Sequence, residues 1–441
     1  MYLYRSSLFV TSMVILNLFT SCGSAHHTTE AKVDLSTLIE HSQVFNNHFT
    51  GFSLYDPVIH KTLYAYNDQK YFTPASNTKI LTFYTALSLL PDPLPAFKYM
   101  IHGDSLIIKG MGDPTLLHPL WPQHPGLSFI INSDKRVFIV TDALQDEAMG
   151  DGWAWDDYSY YYQAEKSALP MYGNLIRIEY DSLAQSHKVF PAYFQGTWSN
   201  LTGKSSSNPY YRMQNDNDFR INVNRKTLTY IPFKTDAATI NNLLSDTIHR
   251  SVRALWSAQV DTDSTWALMP GVSADSVYAQ MMKVSDNFIA EQLLLETGAY
   301  ILDTLNTTKA IQYAKTHLFQ NIPDPLQWVD GSGLSRYNLF TPRSIIYVLE
   351  QIYHKISEDR IKSIFPGGGV SGTLQTIYGA QTPYIYAKTG SLMNNHALSG
   401  YLFTKSGKIL IFSFMHSNYT GSVMPIREEM QKTLEFVRDH Y

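Results

Sequence analysis

The sequence predicts an α/β domain whose sheet strands come from the two ends of the chain, with a long, mostly β insertion between them. Three observations predict it. Near the N-terminus, residues 51–55 and 62–66 alternate apolar and polar side chains around a turn holding Asp56-Pro57, the pattern of a hairpin. Near the C-terminus, residues 384–388, 396–404 and 409–416 read as three further strands, the last two joined by Lys405-Ser406-Gly407-Lys408. Between these sets, roughly 96–271, short β-like runs alternate with clusters of Gly, Asn, Asp and Ser.

The elements follow in order. Residues 34–45 set Leu35, Leu38, Ile39 and Val44 at helical spacing. After the hairpin, Pro74 opens an apolar helix that runs to about Leu90, where Pro91 and Pro93 stop it because proline cannot continue the hydrogen-bond ladder. In the insertion, 105–108 and 137–141 are the clearest strands, and 158–166 and 202–216 are polar loops. From about 272 the apolar period becomes helical again over 275–284 and 288–300, which flank a short polar break, and over 341–356. A last helix, 425–440, closes the chain. The predicted organisation is one domain made of 36–95 and 272–441, interrupted by a mostly β module over 96–271.

A chain of 441 residues suffices for two or three domains. Its net charge of −4 gives no electrostatic footprint for nucleic acid. Residues 1–21 read as a secretion signal: Arg5 supplies the positive end, and the apolar run 8–19, broken by Thr11, Ser12 and Asn17, is too short and too polar for a good membrane span. Cys22 follows directly and is the only cysteine, so no internal disulfide is possible. Thr20-Ser21-Cys22-Gly23-Ser24 resembles the lipobox of bacterial lipoproteins, with cleavage before Cys22 and a lipid on its sulfur; Phe19 departs from the usual Leu or Val. Ordinary signal cleavage nearby is the alternative. Either way the mature protein is expected outside the cytoplasm, on the periplasmic side of the envelope, with 22–35 as a lipid-proximal tether.

Three short motifs carry chemistry. Ser76-Asn77-Thr78-Lys79 opens the helix after Pro74, and its i, i+3 spacing puts a hydroxyl and an amine on one helical face. A serine hydroxyl needs an adjacent base, and a lysine serves if burial or a nearby cation lowers its pKa. Ser285-Asp286-Asn287 lies in the break between two helices, where by itself it reads as an N-cap. Lys388-Thr389-Gly390-Ser391 ends a β-run, where by itself it reads as an exposed edge lysine and a turn. Each is ordinary alone. Their order and settings together match the trio of serine β-lactamases and penicillin-binding proteins.

The chain resembles the low-molecular-mass class C penicillin-binding proteins, the D-alanyl-D-alanine carboxypeptidase/endopeptidase family. The likeness extends to Pro74-Ala75-Ser76-Asn77-Thr78-Lys79, Gly112-Asp113-Pro114-Thr115-Leu116, Gly152-Trp153-Ala154-Trp155-Asp156-Asp157, Asp330-Gly331-Ser332-Gly333-Leu334-Ser335-Arg336, Ser371-Gly372-Thr373-Leu374 and Leu398-Ser399-Gly400-Tyr401. It departs at Asn395, where the family pattern leads one to expect an apolar strand residue. The resemblance implies an antiparallel five-stranded sheet flanked by helices, and it implies roles. Ser76 is the nucleophile and Lys79 its base. Backbone N–H groups of Ser76 and Ser391 form the oxyanion hole. Ser285 relays a proton, Asn287 orients Lys79, and Lys388 keeps the site cationic. Thr389, Gly390 and Ser391 hold the substrate carboxylate. Asp157 and Arg336 read a diaminopimelate end of the stem peptide; the alternative is that Asp156, Asp157 and Arg336 only pin the insertion to the main domain. Peptidoglycan stem peptides and β-lactams are the expected ligands; no metal and no cofactor is expected, as no His-Glu-x-x-His string occurs and His26-His27 lies in the tether. The expected activity is that of a serine-type D-alanyl-D-alanine carboxypeptidase with endopeptidase activity on cross-links. The alternatives are a β-lactamase on the same fold and a catalytically dead wall-binding lipoprotein.

Overall fold

The computed structural model describes residues 34–201, 210–222, 228–260 and 265–441. Residues 1–21, read as a signal, Cys22 and part of the 202–216 loop lie outside the described residues. The principal sheet takes its strands from both ends of the chain: β1 (Phe49–Asp56), β2 (Lys61–Tyr66), β3 (Ile385–Leu392), β4 (Asn395–Phe403) and β5 (Ile409–Ser417). Their order is β3-β4-β5-β1-β2 and every pairing is antiparallel. The period-two alternation of side chains sorts β4 and β5 onto two cores. Ala397, Tyr401, Ile411 and Met415 face one; Leu398, Leu402, Phe412 and Phe414 face the other. Both faces are covered, so β4 and β5 are buried almost throughout, unlike a sheet with one wet face.

Five helices position the site: α1 (Thr78–Leu89), α2 (Ala274–Lys283), α3 (Asn287–Leu302), α4 (Pro342–Lys355) and α5 (Met424–His440). α1, α2, α3 and α4 contribute to one core, and α5 packs with the short helix Leu35–Glu40 on the other. The phenol of Tyr401 ties β4 to α4 by donating to Leu349 O at 2.9 Å.

The insertion leaves and re-enters at neighbouring points. Leu94 N donates to Val272 O at 3.0 Å and Gly271 N to Leu94 O at 2.7 Å, and strands Pro95–His102 and Ala267–Pro270 pair antiparallel. A long excursion therefore returns without disturbing the sheet that precedes and follows it. Its own five-stranded sheet is mixed, because Arg136–Val140 pairs in parallel with both Ser105–Gly110 and Val252–Leu255. Among the described residues, two small three-stranded sheets accompany it. Met111, Val140 and Ala143 pack on Leu295, Ala299 and Leu305, joining the insertion to α3.

Two local expectations change. The helix expected over 34–45 stops at Glu40 and resumes only as a 3-10 turn, Phe45–Asn47. Ser42 breaks it: its hydroxyl accepts from Phe45 N at 3.3 Å and donates to Glu429 at 3.0 Å, offering the backbone an alternative to the helical ladder. The β-rich insertion also holds two helices that were not anticipated, Pro125–Asn132 and Ala237–Ile248. The second buries Ile240, Leu243, Leu244 and Ile248 at helical spacing and is capped by Asp236, but Asn241, Asn242 and three threonines or serines dilute its apolar signal.

Candidate active site

The site is built on one turn. From Pro74 the chain passes through Ala75, whose φ is +47°, into a 3-10 turn, Ala75–Asn77, that continues as α1. Thr78 Oγ1 fixes this turn by donating to Ala75 O at 2.9 Å. Two glycines let the neighbouring backbone approach. Gly333 has φ +82°, and a Cβ there would lie 1.9 Å from Ala75 O. A Cβ on Gly390 would lie 2.5 Å from Pro74 O. The loop 330–333 and the edge strand β3 thus both press on the turn that presents Ser76. Asn77 Nδ2 closes the arrangement with a 2.9 Å bond to Lys388 O.

Lys79 is buried one helical turn from Ser76. Its Nζ lies 2.9 Å from Ser76 Oγ, 2.7 Å from Asn287 Oδ1 and 2.6 Å from Ser332 O. Burial pushes its pKa down to about 8, against the opposing pull of Asp330, Glu291 and Asp286. A second hydrogen-bonded pair faces it: Lys388 Nζ donates to Ser285 Oγ at 2.9 Å and to Thr389 O at 2.7 Å. Lys388 is pushed well below its ordinary value by burial and then by the charge of Lys79. Burial thus lets each lysine reach its neutral form more easily than a free lysine, and the charge of Lys79 adds to that effect at Lys388.

The middle motif divides its labour. Asp286 is the N-cap of α3, accepting from Ile289 N at 3.0 Å, as its local reading predicts. That cap leaves Ser285, held at φ +63°, and Asn287, the first residue of α3, turned toward the two lysines.

A cavity of about 730 Å³ opens at Ser76 and is also lined by Asp157, Tyr162, Asn287, Arg336 and Ser391. A second, of about 400 Å³, shares Ser76, Tyr162 and Asn287 with it and reaches Ser285 and His118. The three motifs, Asp157 and Arg336 thus converge on one cleft. Arg336 is exposed and donates to Met393 O at 3.2 Å; Asn395 is buried and donates to the same carbonyl at 3.1 Å. The polar residue at the start of β4, where an apolar one was expected, therefore shapes the β3–β4 turn that Arg336 meets. Thr389 Oγ1 donates to Thr373 at 2.8 Å. Ser391 Oγ pairs with His396 Nδ1 at 2.8 Å, so its hydroxyl is already oriented from inside the sheet.

Several residues around the cleft received no role from the sequence. Asp330 is a hub: its carboxylate accepts from Gly333 N at 2.8 Å, Ser335 N at 2.7 Å, Asn338 Nδ2 at 2.7 Å and Trp153 Nε1 at 3.0 Å. The last bond ties the insertion to the loop that holds Lys79. Glu291 accepts from Gly331 N at 3.1 Å and Ser332 N at 2.7 Å, and burial, then Asp330, raises its carboxyl to about 7. It lies one helical turn beyond Asn287 on α3, a spacing visible in the sequence. Tyr162 O accepts from Asn287 Nδ2 at 3.0 Å, so an insertion carbonyl fixes the amide whose oxygen holds Lys79. Nothing in the sequence signals that contact. His396 stands opposite Ser391 across the β3–β4 ladder; burial, then Arg427, holds its imidazole neutral by lowering its pKa to about 3.

Comparison with known proteins agrees with this architecture. The model of the D-Ala-D-Ala carboxypeptidase 3 (S13) family matches residues 32–229 and 263–436. The chain is 24% identical over 423 residues to the D-alanyl-D-alanine carboxypeptidase DacB of Haemophilus influenzae, covering 85% of this chain and 87% of that one. It is 24% identical over 398 residues to the penicillin-sensitive carboxypeptidase A of Dictyostelium discoideum, covering 77% and 75%. The crystal structure of penicillin binding protein 4 from Haemophilus influenzae superposes with a TM-score of 0.72 at 20% identity, over 92% of this chain and 100% of that one, and shares its fold. Because the family match spans both parts of the split domain and most of the insertion, the chain belongs to the D-Ala-D-Ala carboxypeptidase 3 (S13) family of serine-type carboxypeptidases.

Proposed function

We propose that the cleft hydrolyses D-alanyl-D-alanine bonds of peptidoglycan stem peptides through an acyl-Ser76 intermediate. One observation carries this reading: how Lys79 is held. A neutral amine keeps a pair of N–H donors and one lone pair. Asn287 Oδ1 and Ser332 O take the donors, which leaves the lone pair for Ser76, 2.9 Å away. Ser76 Oγ attacks the carbonyl carbon of the penultimate D-Ala as its proton passes to Lys79. The N–H groups of Ser76 and Ser391 stabilise the oxyanion. When the C–N bond breaks, the proton reaches the leaving amine by way of Ser285, and water then hydrolyses the ester. Thr389 and Ser391, at the tight Gly390 approach, hold the terminal carboxylate. That anion restores the charge of Lys388, and the repulsion between the lysines then keeps Lys79 neutral when substrate is in place.

The wider cleft supports a longer substrate. Asp157 accepts from the ammonium of a diaminopimelate end and Arg336 pairs with its carboxylate, which extends the activity to endopeptidase cleavage of cross-links. β-Lactams acylate the same serine, in keeping with the penicillin sensitivity named for the Dictyostelium relative. The catalytic unit is 36–95 with 272–441, and 96–271 supplies Asp157 and Tyr162. Membership of a cell-wall enzyme family implies the cell envelope. Among the described residues no helix is long and apolar enough to cross a membrane, and we assign attachment to a lipid on Cys22.

Mass spectrometry after incubation with benzylpenicillin tests the reading. A long-lived adduct on Ser76 is expected, and none on a folded Ser76→Ala variant. Labelling at another serine, rapid release of the adduct, or no label would each overturn it.

A further inference from the structure

Across the sheet from Lys388, at its opposite edge, the β1–β2 turn meets α4. Three metal-ligating side chains converge there: His60 from the turn, and Glu350 and His354 from successive turns of the helix. Glu350 Oε1 lies 2.9 Å from His60 Nδ1 and 3.8 Å from His354 Nε2, and all three ligand atoms fall within 4.8 Å of one another. Ligands at about 2.0–2.1 Å around a tetrahedral zinc ion stand roughly 3.3 Å apart. The observed separations bracket that spacing, and small rotations of the side chains reach it.

The surroundings also suit an ion. Glu350 is largely buried and His60 and His354 open to solvent, with side-chain exposures of 15%, 64% and 48%. A cation held here keeps a face free for water. The Tyr55 phenol donates to Glu350 Oε1 at 2.6 Å, the kind of outer partner that orients a ligating carboxylate. Asp56 Oδ1 accepts from Val58 N at 3.0 Å and Ile59 N at 3.3 Å, which folds the turn so that His60, at φ +51°, faces α4.

We propose that His60, Glu350 and His354 form a site for a zinc-class divalent cation, with water in the fourth position, which pins the β1–β2 turn to α4. The imidazoles select zinc, cobalt, nickel or copper over magnesium and calcium, which demand oxygen ligands. The site is separate from the cleft at Ser76 and takes no part in acyl transfer.

The full chain, stripped with chelator, is titrated with Zn²⁺ against a chromophoric competitor, and with Co²⁺ for its absorption spectrum. One saturable equivalent and a tetrahedral Co²⁺ spectrum are expected. Removing one ligand, in His60→Ala or His354→Ala, should weaken binding at least about 100-fold, and Tyr55→Phe about 10- to 100-fold. Penicillin labelling of Ser76 should be unchanged in all three, which shows that they fold. A His26→Ala/His27→Ala variant should bind as the parent does. The proposal is overturned if no equivalent binds, if binding survives His60→Ala/His354→Ala and disappears with His26 and His27, or if Ca²⁺ competes equally. The first result would mean that the three residues form only a polar cluster.

Discussion

Replacing Lys79 by arginine tests the base directly. Guanidinium cannot lose its proton in a protein, so the variant keeps the charge and loses the lone pair. With the Lys79 pKa at about 8, roughly a tenth of the enzyme holds the neutral amine at pH 7, and each lower pH unit cuts that share about tenfold. The acylation rate with benzylpenicillin should therefore climb about tenfold per unit from pH 6 and level off above about 8. Lys79→Arg should lose at least about 10³-fold at every pH. The same shift has a stability consequence. The native state releases this proton near pH 8 and the unfolded chain near its ordinary 10.5, so between those values the unfolded chain binds more protons and stability rises with pH. The group contributes a rise of about 3 kcal/mol across that window and none below it. Urea unfolding of wild type and Lys79→Met at pH 7 and pH 10.5 isolates it as the difference between the two rises, because the methionine variant keeps the share of buried Lys388 and lacks that of Lys79. A flat rate profile between pH 6 and 8, or an active Lys79→Arg enzyme, would mean that another group takes the proton.

Other outcomes follow from the same geometry. Asp157→Ala and Arg336→Ala should each cost about 1.5–3 kcal/mol in kcat/KM for a peptide with a free diaminopimelate end while acylating normally with benzylpenicillin; equal losses on both ligands would remove the specificity reading. Gly333→Ala forces a Cβ to within 1.9 Å of Ala75 O at a φ of +82°, so it should lower stability by about 3 kcal/mol and impair labelling of Ser76; an unchanged melting temperature would contradict the close approach. Trp153→Phe removes one bond to the Asp330 carboxylate and should cost about 1.5–3 kcal/mol in stability, read by urea unfolding. Cys22→Ala should release the protein from membranes, as seen by fractionation and N-terminal mass; a wild-type protein that is soluble after gentle lysis counts against the lipid.

The sequence by itself determined the architecture and singled out the residues that meet in the cleft, because both depend on local pattern. Alternation over 51–55 and 62–66 and over the three C-terminal runs located all five strands of the principal sheet within a few residues. Proline punctuation bounded α1, and the short motifs named Ser76, Lys79, Ser285, Asn287 and Lys388. Local pattern also misled where a side chain competes with the backbone, as at Ser42, or where polar residues dilute a helix, as over Ala237–Ile248. Tertiary structure decided what lies far apart in sequence. Lys79 receives its geometry from Asn287 and Ser332, Asn287 from the insertion's Tyr162, and the 330–333 loop from Glu291 and Trp153. The depressed pKa of Lys79 is likewise a product of burial and not of its neighbours in the chain. His60 and Glu350 meet only because the β1–β2 turn folds over α4. No periodicity reports such contacts, since their partners lie far apart in sequence and meet only when burial of apolar surface folds the chain.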